Sequence, residues 1–214
     1  MSRRRVATTV RTCVVVAGGR STRFGDSDKA VADLAGTPML RRVVDRVAAI
    51  VDDLVINCRA DQVDAVGEAL AGAPFDPTFA RDETPDLGPM AGIATGLRAA
   101  EGEYALVVAC DMPFVDPDLA DYLFDRAAGH DAAVPRPDEW FQTTQAVYRA
   151  DPMAAACEAA LERDERKIIE ALFDLDYVVV DREEIEARAS LETFENLNTR
   201  EEFAAAAERF RGGE

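Results

Sequence analysis

A glycine-rich loop near the start of the chain carries the first residues that could do chemistry. Gly18 and Gly19 follow a short apolar run, and Arg20, Arg23 and Lys29 come next. Glycines let backbone N–H groups approach a phosphate closely, and the three cations add positive charge. The loop has neither the G-K-[ST] ending of a Walker A motif nor the G-x-G-x-x-G spacing of a dinucleotide site. The pattern predicts a phosphate-binding loop of another type, and the alternative is a glycine turn with solvated arginines.

Lys29 is unusual in this chain because arginine is used almost everywhere that a cation is wanted. The only other lysine is Lys167. A lysine beside the glycine loop suggests a need for a compact ammonium group, as at a phosphate oxygen, where a wider guanidinium does not fit. The alternative is chance placement of one of two lysines.

Asp111 directly follows the most apolar run of the chain, Tyr104–Cys110. A carboxylate at the end of a buried parallel strand is suited to bind Mg²⁺. The alternative is a turn aspartate, since Pro113 follows. Asn57 ends another apolar run and could bond a ribose or a base.

Two further segments combine structural and functional signals. Glycines at the start of residues 88–92 (GPMAG) allow a base or ribose to lie against the backbone, or allow close helix packing. Thr199 and Glu202 form a capping box for a terminal helix. Asn196 and Asn198 precede this box, and capping does not require them.

Apolar runs of strand length alternate with stretches of helical period. Strands are predicted at 12–17, 53–57 and 104–110, and a helix is predicted to begin at Thr37-Pro38. Glu183-Glu184 is predicted to be a loop. This alternation predicts a three-layer α/β fold with a mostly parallel sheet, whose ligand site lies beyond the carboxyl ends of the strands. Without a linker or repeat, residues 1–214 are predicted to form a single domain.

Composition excludes several function classes. The 24 basic residues are outnumbered by 41 acidic ones, which gives a formal net charge of −17. Such a surface disfavours nucleic-acid binding. His130 is the only histidine, and no cysteine pair has C-x-x-C spacing, so multi-histidine and zinc-knuckle sites are excluded. No signal sequence or membrane span is predicted, and we expect a cytoplasmic protein.

The same composition resembles that of proteins from cytoplasm with molar salt. At about 1 M salt the Debye length is roughly 3 Å, so repulsion among surface carboxylates is screened. The alternative is an acidic protein from a high-GC genome without salt adaptation.

The motifs at 16–29, 88–92, 110–113 and 196–199 together resemble the molybdenum cofactor guanylyltransferase family. The resemblance runs from about residue 12 to 205, and the Ala-Gly-Gly start differs from the Ala-Ala-Gly typical of the sister cytidylyltransferases. It implies a Rossmann-like nucleotidyltransferase domain. It also implies transfer of GMP from GTP to the terminal phosphate of molybdopterin, with Mg²⁺ as cofactor and release of pyrophosphate.

The resemblance and the loop chemistry together assign roles by position. The residues predicted to bind GTP are Val16, Ala17, Gly18, Gly19, Arg20, Lys29, Asn57, Asp82 and Asp111. The residues predicted to be catalytic are Lys29, Asp111 and Arg23. Asp111 is the predicted Mg²⁺ ligand, with Asn198 as a second candidate. The residues predicted to bind the acceptor are Gly88, Gly92, Asn196 and Asn198. The nucleotide-binding half is expected at about 12–115 and the acceptor half at about 116–205.

Three alternatives to this function stay open. One is guanylyl or other nucleotidyl transfer to another phosphorylated acceptor, such as cobinamide phosphate or a sugar phosphate. Another is cytidylyl transfer to molybdopterin, and the third is a nucleotide-binding module without catalysis. Thr143 stands where the family usually has proline, in the part expected to meet the pterin. Further partners would be other assembly proteins of the cofactor or the enzymes that receive it.

Overall fold

The computed structural model describes residues 10–19, 28–82 and 87–212. Within these ranges the strands are β1 (Arg11–Val16), β2 (Asp33–Leu34), β3 (Thr37–Pro38), β4 (Asp53–Cys58), β5 (Thr78–Arg81), β6 (Tyr104–Ala109), β7 (Ala132–Arg136), β8 (Gln145–Arg149) and β9 (Tyr177–Asp181). The α-helices are α1 (Met39–Val47), α2 (Val63–Ala69), α3 (Pro89–Arg98), α4 (Pro117–Ala127), α5 (Ala150–Glu162), α6 (Ile168–Leu172), α7 (Arg182–Glu186) and α8 (Arg200–Gly212). Short 3-10 helices lie at Lys29–Val31, Ala60–Gln62 and Leu191–Phe194.

Seven strands form one sheet in the order β5-β4-β1-β6-β8-β7-β9. The four strands from β5 to β6 are parallel, and β9 is parallel to β7. Strand β8 runs antiparallel to both of its neighbours. The predicted mostly parallel sheet is confirmed. The short strands β2 and β3 form a separate antiparallel pair.

Helices cover both faces of this sheet. Side chains alternate between the two faces along each strand, and in the central strands both sets are apolar. Cys13 and Val15 of β1 pack with helices α1, α2, α4 and α7. Val14, between them, packs on the opposite face with α3, α5 and α6. The predicted three layers are therefore confirmed, with the central strands β1, β4, β6 and β8 buried on both faces.

A smaller apolar cluster holds the C-terminal segment against the body of the protein. Leu197 and Ala206 pack there with Leu34 and Met39 near the β2–β3 hairpin. The Leu197 N–H also donates to the Asp111 carbonyl at 3.0 Å. This packing brings residue 198 next to the carboxyl end of β6.

Two local predictions are wrong. Thr37–Pro38 does not begin a helix: it pairs as β3 with Asp33–Leu34, and α1 begins at Met39. Glu183-Glu184 is not a loop but the middle of α7, because the Asp181 side chain accepts a hydrogen bond from the Glu184 N–H and caps the helix.

None of the helices in the described part of the chain has the length and apolar character needed to cross a membrane.

Candidate active site

The carboxyl ends of four parallel strands surround a cavity of about 470 Å³. Val16 of β1 pairs with Asn57 of β4 on one side and with Ala109 of β6 on the other, so the loops that follow these strands meet. The volume lies within the range of about 300–1,000 Å³ typical of ligand sites. Its lining residues are Val16, Ala17, Gly18, Gly19, Lys29, Asn57, Asp82, Leu87, Gly88, Pro89, Ala91, Ala109, Cys110, Asp111, Thr144 and Asn198.

Lys29 lies in the cavity wall and is only 6 % exposed. Its Nζ is 2.8 Å from Asp111 Oδ2 and 3.1 Å from Asn198 Oδ1. The side chain of Asp28 accepts a hydrogen bond from the Ala30 N–H and so fixes the turn that carries Lys29. Three segments far apart in sequence thus converge on one ammonium group, whose charge a carboxylate and an amide oxygen stabilise.

The second oxygen of Asp111, Oδ1, is buried, and no hydrogen-bond donor among the described residues reaches it. A buried polar atom without a partner needs an explanation, and an ion or a water is the usual one. Mg²⁺ binds proteins through one or two carboxylates and takes its other ligands from water and substrate phosphates. No group of three or more His, Cys, Asp or Glu in the described ranges could hold a metal alone. The donor set therefore fits Mg²⁺ bound jointly with a phosphorylated substrate.

Asn57 is 1 % exposed and forms a wall between β1 and β5. Its Nδ2 donates to the Ala80 carbonyl at 3.1 Å and to Asp82 Oδ1 at 2.6 Å. Its Oδ1 is buried without a partner among the described residues. The two bonds hold Asn57 and Asp82 together at the cavity, and Asn57 Oδ1 lies against Gly92 of α3.

Two glycines leave the space that Asn57 and Asp82 occupy. A methyl group on Gly18 would lie 2.5 Å from Asp82 Oδ2, and one on Gly92 would collide with Asn57 Oδ1. Gly92 therefore supports the site from behind, although it does not line the cavity.

Helix α3 begins at the cavity. Gly88 precedes it with φ +86° and ψ 179°, a conformation that only glycine adopts without strain. Pro89 occupies the first turn, where no intrahelical hydrogen bond is lost. The positive end of the helix dipole thus faces the ligand space and favours an anion there.

The buried thiols near the site are unsuited to nucleophilic chemistry. Burial, reinforced by the Asp111 charge, raises the pKa of the Cys110 thiol well above its ordinary value. Burial also raises the pKa of Cys58 to about 11, with Asp82 adding to the effect. Both remain protonated near neutral pH, and the reactive thiolate form is suppressed.

The cavity brings together most of the residues singled out from sequence. Val16 to Gly19, Lys29, Asn57, Asp82, Gly88, Asp111 and Asn198 all line it. Asn196 does not, and its side chain donates to the Phe194 carbonyl instead. Arg20 and Arg23 lie outside the described residues. The ligand contacts assigned to all of these residues stay predictions.

Thr144 lines the cavity and was not among the predicted site residues, although it follows Thr143 in the part expected to meet the pterin. Its carbonyl accepts a hydrogen bond from the Ala109 N–H at 3.1 Å, because β8 runs antiparallel to β6 and begins at the cavity edge. Only the strand direction places it there, and alternation of strands and helices does not reveal a single antiparallel strand.

Comparison with known families gives a match over residues 13–176 to the MobA-like NTP transferase domain. A protein of Natronomonas pharaonis called "probable molybdenum cofactor guanylyltransferase" is 55 % identical over 199 residues, which cover 93 % of this chain and 98 % of the relative. A Pseudomonas putida protein called "molybdenum cofactor guanylyltransferase" is 35 % identical over 177 residues, or 79 % of this chain and 88 % of the relative.

A solved structure extends the likeness to the fold. The crystal structure of molybdopterin-guanine dinucleotide biosynthesis protein A from Archaeoglobus fulgidus superposes with a TM-score of 0.77 at 27 % identity. It covers 95 % of this chain and 100 % of that one. The predicted α/β architecture is therefore shared over nearly the whole length.

Proposed function

Since the chain belongs to the family of MobA-like NTP transferase domains, we propose that it acts as a guanylyltransferase of molybdenum cofactor biosynthesis. It joins GMP from GTP to the terminal phosphate of molybdopterin and releases pyrophosphate. The observation that carries this proposal is the buried Lys29 ammonium paired with Asp111 inside the cavity. A cation kept in a pocket of a strongly acidic chain is placed to meet an anionic ligand.

The cavity wall from Val16 to Gly19, together with the start of α3, would receive the nucleotide. Backbone N–H groups of a glycine loop and the positive end of a helix both favour phosphates. Asp82, held beside Asn57 by a 2.6 Å hydrogen bond, presents a carboxylate at the cavity wall, which suits the donor groups of a base or a ribose. Arg20 and Arg23, which follow Gly19 in the sequence, stay predicted contacts of the triphosphate.

The transfer needs positioning and charge neutralisation more than proton transfer. A phosphate oxygen of the acceptor attacks the α-phosphorus of GTP, the bond to the β-phosphate oxygen breaks, and pyrophosphate leaves. The attacking phosphate monoester is already largely ionised near pH 7, so no general base is required. This agrees with a chain whose single histidine, His130, bonds Asp176 away from the cavity.

Lys29 and Asp111 have different roles in neutralising charge: Lys29 acts on phosphate oxygens, and Asp111 acts on cations. Without nucleotide, Asp111 neutralises the buried ammonium. With a triphosphate in the cavity, Lys29 would stabilise charge on its oxygens, and Asp111 Oδ1, which no donor among the described residues reaches, would be the oxygen that holds a metal. Mg²⁺, held by Asp111 with Asn198 beside it, would neutralise charge on the phosphate oxygens. The contribution of such preorganised charges is typically large, about 10²- to 10³-fold in rate for one group.

The acceptor would approach from the side of β8. We propose residues 12–115 as the nucleotide-binding half and 116–205 as the acceptor half of one domain. Gly88 and Asn198, which line the cavity, are the proposed acceptor contacts, whereas Gly92 and Asn196, also predicted from sequence, do not line it. Other cofactor-assembly proteins or recipient enzymes as partners, and a cytoplasmic location, stay predictions.

The test is release of pyrophosphate from GTP, CTP and ATP with Mg²⁺, each with and without molybdopterin. We expect release with GTP that depends on molybdopterin. Release with CTP but not with GTP would identify CTP as the nucleotide substrate. Release that does not depend on molybdopterin would show that molybdopterin is not the acceptor. Binding without any release would indicate a non-catalytic module. Thermal unfolding with each nucleotide gives a rapid first answer, because a ligand at 100 times its Kd adds about 2.7 kcal/mol of stability.

A further inference from the structure

The loop between β4 and α2 reaches back to the glycine loop through two side chains, Arg59 and Gln62. Gln62 is polar yet only 3 % exposed. Its Nε2 donates to the Ala17 carbonyl at 3.1 Å and also to Asp28 Oδ2. Its Oε1 accepts from the Arg59 N–H at 2.9 Å. One amide therefore joins the residue before the glycine loop to the residue before Lys29.

Arg59 holds the glycine loop itself. Its Nη1 donates to the Gly18 carbonyl at 3.1 Å and to the Gly19 carbonyl at 3.0 Å. In a trans peptide the C=O and N–H groups point in opposite directions. The bond to the Gly18 carbonyl therefore turns the Gly19 N–H away from Arg59. Gly18 and Gly19 line the cavity, whereas Arg59 and Gln62 do not.

We propose that Arg59 and Gln62 are positioning residues that set the geometry of the phosphate-binding loop. Arg59 orients the peptide groups of the loop at its start. Gln62 fixes the distance between that start and Asp28, whose side chain caps the turn carrying Lys29. Neither side chain needs to touch substrate. This inference rests on the proposed nucleotidyl transfer and names residues that control it.

Helix capping alone does not explain these contacts. The bond from the Arg59 N–H to Gln62 Oε1 closes the 3-10 turn Ala60–Gln62 that leads into α2. An acceptor at position 62 is sufficient for that purpose. The two bonds donated by Nε2 leave the turn and go to the two ends of the loop, 45 and 34 residues away in sequence.

The first variant is Gln62→Met, which keeps the length of the side chain and the net charge but removes both donated bonds and the bond accepted from the Arg59 N–H. We expect kcat/KM for GTP to fall at least about tenfold, because small displacements of a positioning group have such effects. The KM for molybdopterin should stay unchanged. In the free protein, hydrogen exchange of residues 17–19 and 29–31 should become faster while that of β6 does not.

The matched control is Thr193→Val, which removes a buried hydroxyl away from the cavity. Thr193 Oγ1 accepts from the Asp116 N–H at 2.9 Å and from Gln145 Nε2 at 2.7 Å. We expect this variant to lower the midpoint of thermal unfolding with wild-type kinetics. Equal kinetic constants for Gln62→Met and wild type, or a loss that Thr193→Val reproduces, would overturn the positioning role.

Gln62→Glu is the second variant if Gln62→Met fails to fold, because it keeps the acceptor for the Arg59 N–H. It loses the donated bonds and faces Asp28 with a like charge, so we expect a larger loss in kcat/KM for GTP. Adding Asp28→Asn should recover part of that loss, since the new amide can donate to Glu at position 62. Absence of any loss in the single variant would also overturn the proposal.

The wild-type assay separates this inference from the proposed function. If the wild type uses CTP or another acceptor, the same variants are measured with that substrate, and the proposed specificity fails while the positioning role stands or falls by its own result. If the wild type neither binds nor turns over any nucleoside triphosphate, both proposals are wrong.

Discussion

The two halves of the chain differ in how they contribute to the cavity. Residues 12–115 supply the parallel strands β5, β4, β1 and β6, whose carboxyl ends all open at the same edge. Residues 116–205 supply β8, β7 and β9, with β8 antiparallel to its neighbours. All lining residues of the cavity except Thr144 and Asn198 come from the first half. A parallel arrangement concentrates strand ends, and with them the loops that can bind a ligand.

Buried polar side chains show the same difference. In the first half, three of the four buried polar side chains, Lys29, Asn57 and Gln62, contact the cavity wall or the loop that forms it. The fourth, Thr12, donates to Asp53 and accepts from the Gly102 N–H away from the cavity. In the second half, Gln145 and Thr193 bond each other and the backbone at Asp116. Burial of a polar group therefore does not indicate function by itself. What distinguishes Lys29, Asn57 and Gln62 is that their contacts converge on an open space.

The largest expected effect is that of Asp111→Asn in the first half, and the same substitution at Asp116 in the second half is its control. Asp111→Asn keeps an oxygen for Lys29 but removes the negative charge, so kcat should fall about 10²- to 10³-fold. Asp116→Asn removes the same charge at the N-cap of α4, where Asn caps as well as Asp, and should leave kcat unchanged. Pyrophosphate release under saturating substrates measures both.

Thermal unfolding accompanies that comparison, since neither variant should unfold. Replacing Asp111 by alanine is a poorer test, because it leaves the buried ammonium of Lys29 unpaired and costs about 3–5 kcal/mol. Near-wild-type turnover in a folded Asp111→Asn protein would show that the Asp111 carboxylate has no catalytic role.

The next largest effect is expected from Gly92→Ala in α3, which we compare with a second helix glycine of the first half. In Gly92→Ala the new methyl group collides with Asn57 Oδ1, which the bonds to Ala80 and Asp82 hold in place. Overpacking costs about 1–3 kcal/mol and offsets the helix-propensity gain of about 1 kcal/mol. We expect about tenfold weaker GTP binding by calorimetry, because the displaced amide belongs to the cavity wall.

Gly67→Ala in α2 is the matched control for that variant. Its methyl group would meet only Phe79 Cζ, at 3.9 Å. It should raise stability by about 0.5–1 kcal/mol and leave GTP binding unchanged. Equal GTP affinity in both variants would show that the position of Asn57 does not affect GTP binding.

The predictability of the two halves follows from their strand directions. Continuous apolar runs such as 12–17 and 104–110 predicted the central parallel strands to within one residue, because strands buried on both faces lack alternation. The residues placed directly after such runs, among them Asn57 and Asp111, were therefore found at the cavity. The capping box of Thr199 and Glu202 was confirmed by reciprocal hydrogen bonds.

Other site residues depend on tertiary placement and leave no local pattern. Gln62 lies in a polar stretch before α2, and only the packing of that stretch against the glycine loop gives it a role. Thr144 required knowledge that β8 is antiparallel. Asn198 was found through its motif, but its bond to Lys29 depends on the cluster that docks α8. The short α7 was missed because its signal is a capping aspartate followed by charged residues.

Salt should affect both halves together, through the net charge of −17. The Debye length falls from about 30 Å at 0.01 M salt to about 3 Å at 1 M, so repulsion between carboxylates is screened. We expect the midpoint of thermal unfolding, followed by circular dichroism, to rise with KCl at pH 7. The rise should shrink near pH 4, where many carboxyl groups are protonated. A midpoint independent of KCl at pH 7 would contradict adaptation to salt.

The smallest effect concerns the ion pairs that Arg98 of α3 forms with Glu158 and Asp151 of α5. Arg98 Nε and Nη2 bond the two oxygens of Glu158 at 2.9 and 2.8 Å, and these bonds lower the pKa of Glu158 below its ordinary value of 4.5. Both side chains are more than 40 % exposed, at 43 % and 49 %, so the pair contributes about 0.2–1 kcal/mol. A lowered carboxyl pKa means that this stability is present above pH 4.5 and is lost as the pH falls through the lowered pKa. Arg98→Met should therefore lower the unfolding midpoint slightly at pH 7, and its difference from the wild type should vanish in stronger acid. A difference that stays constant down to pH 2 would assign the effect to packing of the arginine stem instead of to the ion pair.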